Sequence, residues 1–187
     1  MANVNVIESA RAPRVSAAFD PPGLREYTGV VVFLVAYGIG LSQATEQRGP
    51  VPPNEALLGP IATMVGLTAV VWLAMLVFRN YAVIRGTITG EYFSTYSGSL
   101  PPDWIERPAR TFNNLMQVPT LFYVACAFMM ILQRVDHVAV LLAWIYVLTR
   151  VAHASIYMIW NYVPARFATW VASWIALCVL WVRFLTA

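Results

Sequence analysis

The sequence contains no lysine, and charged residues of any kind are scarce. All twelve basic residues are arginine, and charged residues make up 11% of the chain against 59% apolar residues. A typical soluble domain carries about 25% charged residues, so this composition excludes an ordinary soluble protein and indicates an integral membrane protein. The net charge of +3 does not indicate nucleic-acid binding, because the arginines flank hydrophobic segments and form no basic surface.

Cysteine and histidine are also rare, with two of each. Cys126 and Cys178 lie within apolar segments, where cysteine is usually a small core residue. The sequence has no CxxC and no HExxH pattern. We therefore expect no metal site and no metal cofactor.

What the chain does contain is a series of long apolar segments. There are five of them, at residues 27–42, 61–78, 112–132, 138–160 and 167–185. The last four meet the requirement of roughly 20 residues for crossing a bilayer as a helix. The pattern predicts an all-α integral membrane protein, a four-helix transmembrane bundle preceded by one extra N-terminal transmembrane helix. Residues 1–58 would form the tail, the extra helix and a proline-rich linker, and residues 59–187 the bundle.

The first segment is the weakest and has a second interpretation. Basic residues precede it, and Ser42-Gln43-Ala44 could be a signal-peptide cleavage site. The region before it is unusually long for a signal peptide and contains Glu8, Asp20 and Glu26. These features favour a retained helix.

The arginines also predict the orientation in the membrane. With five spans, one side holds eight arginines and the other holds three, with Arg150 lying within a span. The more basic side holds Arg11, Arg14, Arg25, Arg79, Arg85, Arg107, Arg110 and Arg166, and the other holds Arg48, Arg134 and Arg183. Because basic loops stay in the cytoplasm, the N-terminus and the long 79–110 connection are expected there. We expect a bacterial inner-membrane protein.

Polar residues form two stripes on neighbouring spans. In the fourth segment Tyr146, Arg150, His153 and Tyr157 follow at steps of four, three and four, which places them on one helix face. An arginine within the hydrocarbon costs at least ~2.5 kcal/mol, so it needs a partner, water or a ligand. The second stripe consists of Arg110, Asn114 and Gln117, at the start of the preceding segment. Two such stripes predict a polar pocket between helices that suits an anionic ligand.

These residues resemble the motifs of the MAPEG family, the membrane-associated proteins in eicosanoid and glutathione metabolism. Arg110-x-x-x-Asn114-x-x-Gln117-x-Pro119 is similar to the family's R-x-x-x-N-x-x-E motif. The run from Arg150 to Tyr157 resembles the R-V-x-H-x-x-x-Y helix of its prostaglandin E synthase and microsomal glutathione transferase branch. Pro164 and Arg166 then follow at the spacing of that branch's catalytic-arginine segment. The resemblance covers about residues 60–187.

The resemblance implies a fold, an assembly and a ligand. The fold would be a four-helix bundle over residues 59–187 that assembles as a homotrimer, with glutathione as co-substrate between helices at the cytoplasmic side. Arg166 would be the catalytic residue beside the thiol. The glutathione-binding residues would be Arg110, Asn114, Gln117, Arg150, His153 and Tyr157. The partner substrate would be a lipophilic small molecule or a lipid, and the reaction a conjugation or a peroxide reduction.

Departures from the motifs leave other functions open. Gln117 stands where the family motif has glutamate, and Phe167 and Trp170 stand where the branch has serine and tyrosine. One alternative to a glutathione transferase or peroxidase is therefore a non-catalytic scaffold that binds a lipid or an anionic ligand. Another is an accessory subunit of a larger membrane complex, docked through the extra N-terminal helix.

Overall fold

Helices form along nearly the whole described chain. The computed structural model describes residues 24–46, 52–95 and 101–186. Within these ranges the helices are α1 (Leu24–Glu46), α2 (Leu58–Ile84), α3 (Gly90–Thr95), α4 (Asp103–Gln117), α5 (Pro119–Ile131), α6 (His137–Ile159) and α7 (Val163–Thr186), with a 3-10 turn at Asn54–Leu57. No strand occurs in the described ranges.

Within the ranges that the structure describes, four helical stretches are long and apolar enough to cross a membrane. They are Asn54–Ile84, Asp103–Ile131, His137–Ile159 and Val163–Thr186, and Thr28–Ala44 in α1 is a shorter apolar helix. Large apolar side chains such as Val70, Leu148 and Leu185 are exposed on the outside of the bundle. Exposed apolar surface on this scale suits contact with lipid or with other membrane helices. The expected all-α membrane fold is confirmed.

The core lies between α2, α5, α6 and α7. Ala125, Leu142, Val147, Ala176 and Leu180 are almost completely buried there. Small residues on facing helices let their backbones approach closely, which is how membrane helices commonly pack. Helix α1 lies against α7 and α2 against α4. The division of the chain at residue 58 stays a prediction.

Two helix boundaries differ from the sequence-based expectation. The long connection expected at residues 79–110 contains the last turns of α2, the short helix α3 and the first turns of α4, which begins at Asp103 and accommodates Pro108 within it. The segment 112–132, expected as one helix, breaks at Val118. Pro119 has no backbone N–H to donate to the carbonyl one turn earlier, so the helix restarts with proline in its first turn.

The connection between α5 and α6 is tightly held at one end of the bundle. Gln133 has φ 54°, the left-handed conformation that ends α5. Asp136 caps α6, accepting a hydrogen bond from the Ala139 N–H at 2.7 Å. The same carboxylate accepts from Nε of Arg183 near the end of α7 at 2.8 Å. This turn therefore fixes α6 and α7 as antiparallel neighbours.

At the opposite end α4 and α7 begin and α2 and α6 end. We call it the arginine-rich end, because it carries Arg79, Arg85, Arg107, Arg110 and Arg166. The candidate site lies here.

Candidate functional site at the arginine-rich end

Helix α4 contributes the first wall of the site. Its pronounced polar and apolar faces place Arg110 and Asn114 one turn apart on the same side, and both line a cavity. Asp103, two turns earlier, pairs with Arg107 at 2.5 Å and with Nη1 of Arg110 at 3.4 Å. Gln117 is exposed and does not line this cavity. In a single chain the third residue of this stripe therefore lies outside the site.

Helix α6 contributes the second wall. His153 and Tyr157 line the cavity, while Arg150, one turn deeper in the helix, does not. Arg150 is fully buried and donates from Nη2 to the backbone oxygen of Asn114 at 3.1 Å. The same nitrogen also donates to Oδ1 of Asn114. A backbone carbonyl and an amide thus supply part of the hydrogen bonding that this intramembrane arginine requires.

The first turns of α7 form the third wall, and Arg166 lies in them. The guanidinium of Arg166 lies 4.1 Å from the centre of the Tyr157 ring, a cation–π arrangement. Nη1 of Arg166 donates to Oδ1 of Asn161 at 2.5 Å. The backbone oxygen of Arg166 lies 3.0 Å from Nδ1 of His153, and because a carbonyl only accepts, this ring nitrogen carries the proton. Three contacts therefore hold the arginine and its helix turn.

Together these walls enclose a cavity of about 340 Å³. It is lined by Arg110, Asn114, His153, Tyr157, Val163, Arg166, Phe167 and Trp170. Five of the seven site residues predicted from the sequence meet here, and Gln117 and Arg150 lie outside the lining. Phe167 and Trp170 stack with ring centres 6.4 Å apart and give the cavity an aromatic border.

The chemistry of the lining favours an anionic ligand. Two arginines and one asparagine line a single cavity, and guanidinium groups bind carboxylates strongly. Among the described residues no group of three or more histidine, cysteine, aspartate or glutamate side chains could hold a metal ion. The arrangement can therefore hold a carboxylate-bearing molecule and stabilise a developing negative charge beside Arg166.

Sequence reasoning missed Asn161, which holds the guanidinium of Arg166. Asn161 has φ 50° and its N–H donates to the Ile156 oxygen at 2.7 Å, so it is the left-handed residue that ends α6. Asparagine adopts this conformation more readily than most residues. The available signal was an asparagine between an apolar helix and Pro164, which marks a turn but does not reveal the direction of its side chain.

The fold and this cavity define a helical membrane protein with an arginine-lined site between its spans. The sequence model of the MAPEG family matches residues 57–186, and the chain belongs to that family. No curated protein and no solved structure matches the chain. The family match begins after α1, inside the stretch Asn54–Ile84, and includes the other three long apolar stretches of the described ranges.

Proposed function

We propose that the protein is a glutathione-dependent membrane transferase or peroxidase that acts on lipophilic electrophiles. The observation that carries this proposal is the convergence of Arg110, Asn114 and Arg166 on one cavity. The family includes glutathione-dependent transferases and peroxidases, which supports the choice of ligand. The cavity lies at the end of the bundle expected to face the cytoplasm, where a water-soluble thiol can enter.

Glutathione suits this lining because it carries two carboxylates and a thiol. A carboxylate near Arg110 would compete with Asp103, whose 3.4 Å contact with that arginine is long and exposed. Such an exposed pair contributes about 0–1 kcal/mol, so a ligand can displace it at little cost. The thiol would then lie toward Arg166, on the α7 wall of the cavity.

The reaction needs the thiolate, and Arg166 is placed to favour it. A free cysteine thiol has a pKa near about 8.5 and is mostly protonated at neutral pH, whereas a nearby cation stabilises the anion. In conjugation the thiol proton passes to water, sulfur bonds to the electrophilic carbon, and the leaving group departs with its electron pair. In peroxide reduction two glutathione thiols give one disulfide, and the hydroperoxide gives an alcohol and water.

An apolar groove next to the site suits the lipophilic substrate. Helices α1 and α7 border a space of about 470 Å³ that Val30, Phe33, Pro164 and Ala168 help to line. Pro164 and Ala168 lie within two residues of Arg166, on another face of the same helix turns. A substrate dissolved in the membrane would approach Arg166 from this side.

Assembly completes the proposal. We infer a homotrimer in the bacterial inner membrane with a cytoplasmic N-terminus, and the exposed apolar faces of α2 supply surface for contact between subunits. In such an assembly Gln117 of one subunit can reach the site of another. Docking of α1 onto another membrane complex is the alternative partner interaction.

A second candidate function is a ligand-binding scaffold without turnover. The specific observation in its favour is the stacked pair Phe167 and Trp170, which lines the cavity where the related branch has hydroxyl groups. Under this alternative the arginines would bind an anionic lipid headgroup or glutathione, and the protein would serve a partner. Binding without turnover would distinguish it.

The deciding experiment is calorimetric titration of the detergent-purified protein with glutathione, followed by turnover assays with an aryl halide and a lipid hydroperoxide. Arg110→Ala should weaken binding at least about tenfold, since it removes a charged hydrogen-bond donor. Arg85→Ala is the matched control, because Arg85 belongs to the same end but packs its guanidinium over Tyr81 at 5.3 Å. No binding to the wild-type protein at millimolar glutathione would overturn the proposal.

A further inference from the structure

The buried arginine of α6 is held by the end of another helix. Arg150 is 0% exposed and is the largest fully buried side chain among the described residues. The ion pairs in the described ranges involve Asp103 and Asp136, and neither contacts Arg150. Among the described residues, its two hydrogen bonds both go to Asn114, in the last turn of α4.

The break before Pro119 explains why this helix end can accept a cation. The last carbonyl groups of a helix lack helical partners and carry a partial negative charge. Pro119 adds to this, because it cannot donate to the carbonyl oxygen of Leu115. The guanidinium of Arg150 reaches the backbone oxygen of Asn114 at 3.1 Å, within the turn where this charge accumulates. The helix end and the amide oxygen thus supply part of what a carboxylate would, while Nε and Nη1 of Arg150 have no hydrogen-bond partner in the described part of the chain.

The contact also decides which way the Asn114 amide points. An arginine side chain donates hydrogen bonds and accepts none, so the group of Asn114 that faces Arg150 is Oδ1. The amide nitrogen then remains for the cavity, which Asn114 lines and Arg150 does not. We infer that Arg150 is a positioning residue that fixes Asn114 as a hydrogen-bond donor toward an anionic ligand.

This inference rests on the proposed function for the identity of the ligand, and it changes the role expected for Arg150. As a direct contact, Arg150 would add its own charge to the ligand's binding energy. As a positioning residue it acts through Asn114. Replacing Arg150 then weakens ligand binding only when Asn114 is present. The two roles differ in a measurable way.

The first test needs no ligand. Protein labelled with ¹⁵N-asparagine shows side-chain amide signals, and Asn114→Ala identifies the pair that belongs to Asn114. In Arg150→Met this pair should shift as the amide samples other orientations, while Arg150→Lys, which keeps a donor, should shift it less. The amide of Asn80, bonded to the Leu76 oxygen at 2.8 Å, reports that α2 stays helical. An Asn114 signal unchanged in Arg150→Met overturns the inference.

The second test is a double-mutant cycle in glutathione binding. Asn114→Ala and Arg150→Met should each weaken binding roughly ten- to a hundredfold, and the double variant no more than the stronger single one. Additive losses would show direct contact and overturn the positioning role. If Arg150→Met does not fold, Arg150→Gln takes its place under the same criteria. If the wild-type protein binds no glutathione, the proposed function fails, and the amide signals alone decide whether Arg150 orients Asn114.

Discussion

His153 and Arg166 are joined across the turn between α6 and α7 by a contact of 3.0 Å from the ring nitrogen Nδ1 to the backbone oxygen. Because the oxygen can only accept, Nδ1 carries a proton and donates it to this contact. Nε2 has no hydrogen-bond partner in the described part of the chain. The imidazole therefore fixes the first turn of α7, which carries Arg166, to the helix that lines the other side of the cavity.

Replacing the proposed catalytic residue tests the mechanism directly. Arg166→Ala should lower kcat on the order of a hundredfold, because one preorganised group that stabilises a developing anion typically contributes that much. Arg166→Lys should retain part of the activity through its charge. The measurement is steady-state turnover with glutathione and a lipophilic electrophile, with Arg85→Ala as the control for charge at this end. Unchanged turnover in Arg166→Ala would remove this residue from the mechanism.

Asn161 should affect turnover because it holds the guanidinium of Arg166. Asn161→Gly keeps the left-handed backbone at φ 50° but removes the oxygen that holds the guanidinium. We expect a several-fold lower kcat with little change in KM and in thermal stability. Asn161→Asp retains an acceptor for Arg166 and should restore most of the turnover. If Asn161→Gly and Asn161→Asp lose the same fraction of turnover, the effect comes from the backbone of the turn and not from the contact with Arg166.

The aromatic border of the cavity should limit turnover. Phe167→Ser and Trp170→Tyr restore the hydroxyl groups that the related motif carries, and a hydroxyl can donate to a thiolate. We expect the double variant to turn over faster than the wild-type protein at equal glutathione affinity. Trp174→Tyr, one turn further along α7, is the control. A protein that binds glutathione but stays inactive in every variant would indicate the scaffold function.

Gln117 tests the assembly. It is exposed and lies outside the cavity of its own chain, so it affects the site only if another subunit brings it there. In a homotrimer Gln117→Glu should tighten glutathione binding about tenfold, since a carboxylate gains a charged hydrogen bond with the ligand's ammonium. Calorimetry measures the change in glutathione affinity, and a mass measurement of the detergent complex shows whether the protein is a trimer. An unchanged affinity in a confirmed trimer would exclude Gln117 from the site.

At the other end of the bundle, Asp136 should contribute more to stability than its partner Arg183. Asp136→Ala removes both the cap of α6 and the ion pair, and loss of such a cap typically costs ~1 kcal/mol. Arg183→Ala removes only an exposed pair worth about 0–1 kcal/mol. Thermal unfolding in one detergent should therefore give the larger drop in Tm for Asp136→Ala. The opposite order would show that the cap contributes little.

The sequence predicted the fold well because bilayer physics restricts it. Apolar segments of sufficient length can satisfy their backbone only as helices, so the spans and the family motifs were readable from the residues. Helical spacing also placed Arg110 with Asn114 and His153 with Tyr157. The start of α4 at Asp103 was missed because Pro101, Pro102 and Pro108 indicate a loop, although proline at or near the first turn of a helix is tolerated.

The sequence by itself determined that this is a helical membrane protein and which polar residues share a helix face. Only the tertiary structure decided which of them meet, because spacing along one helix does not set its rotation against its neighbours. Arg150 donates to Asn114 in the last turn of α4, next to the break at Pro119, and lies outside the cavity lining. The left-handed turn at Asn161 brings an unpredicted oxygen to Arg166. The contact of Arg150 with Asn114 and the contact of Arg166 with Asn161 both lie at helix ends. The positions of these ends relative to one another are set only when α4, α6 and α7 pack together.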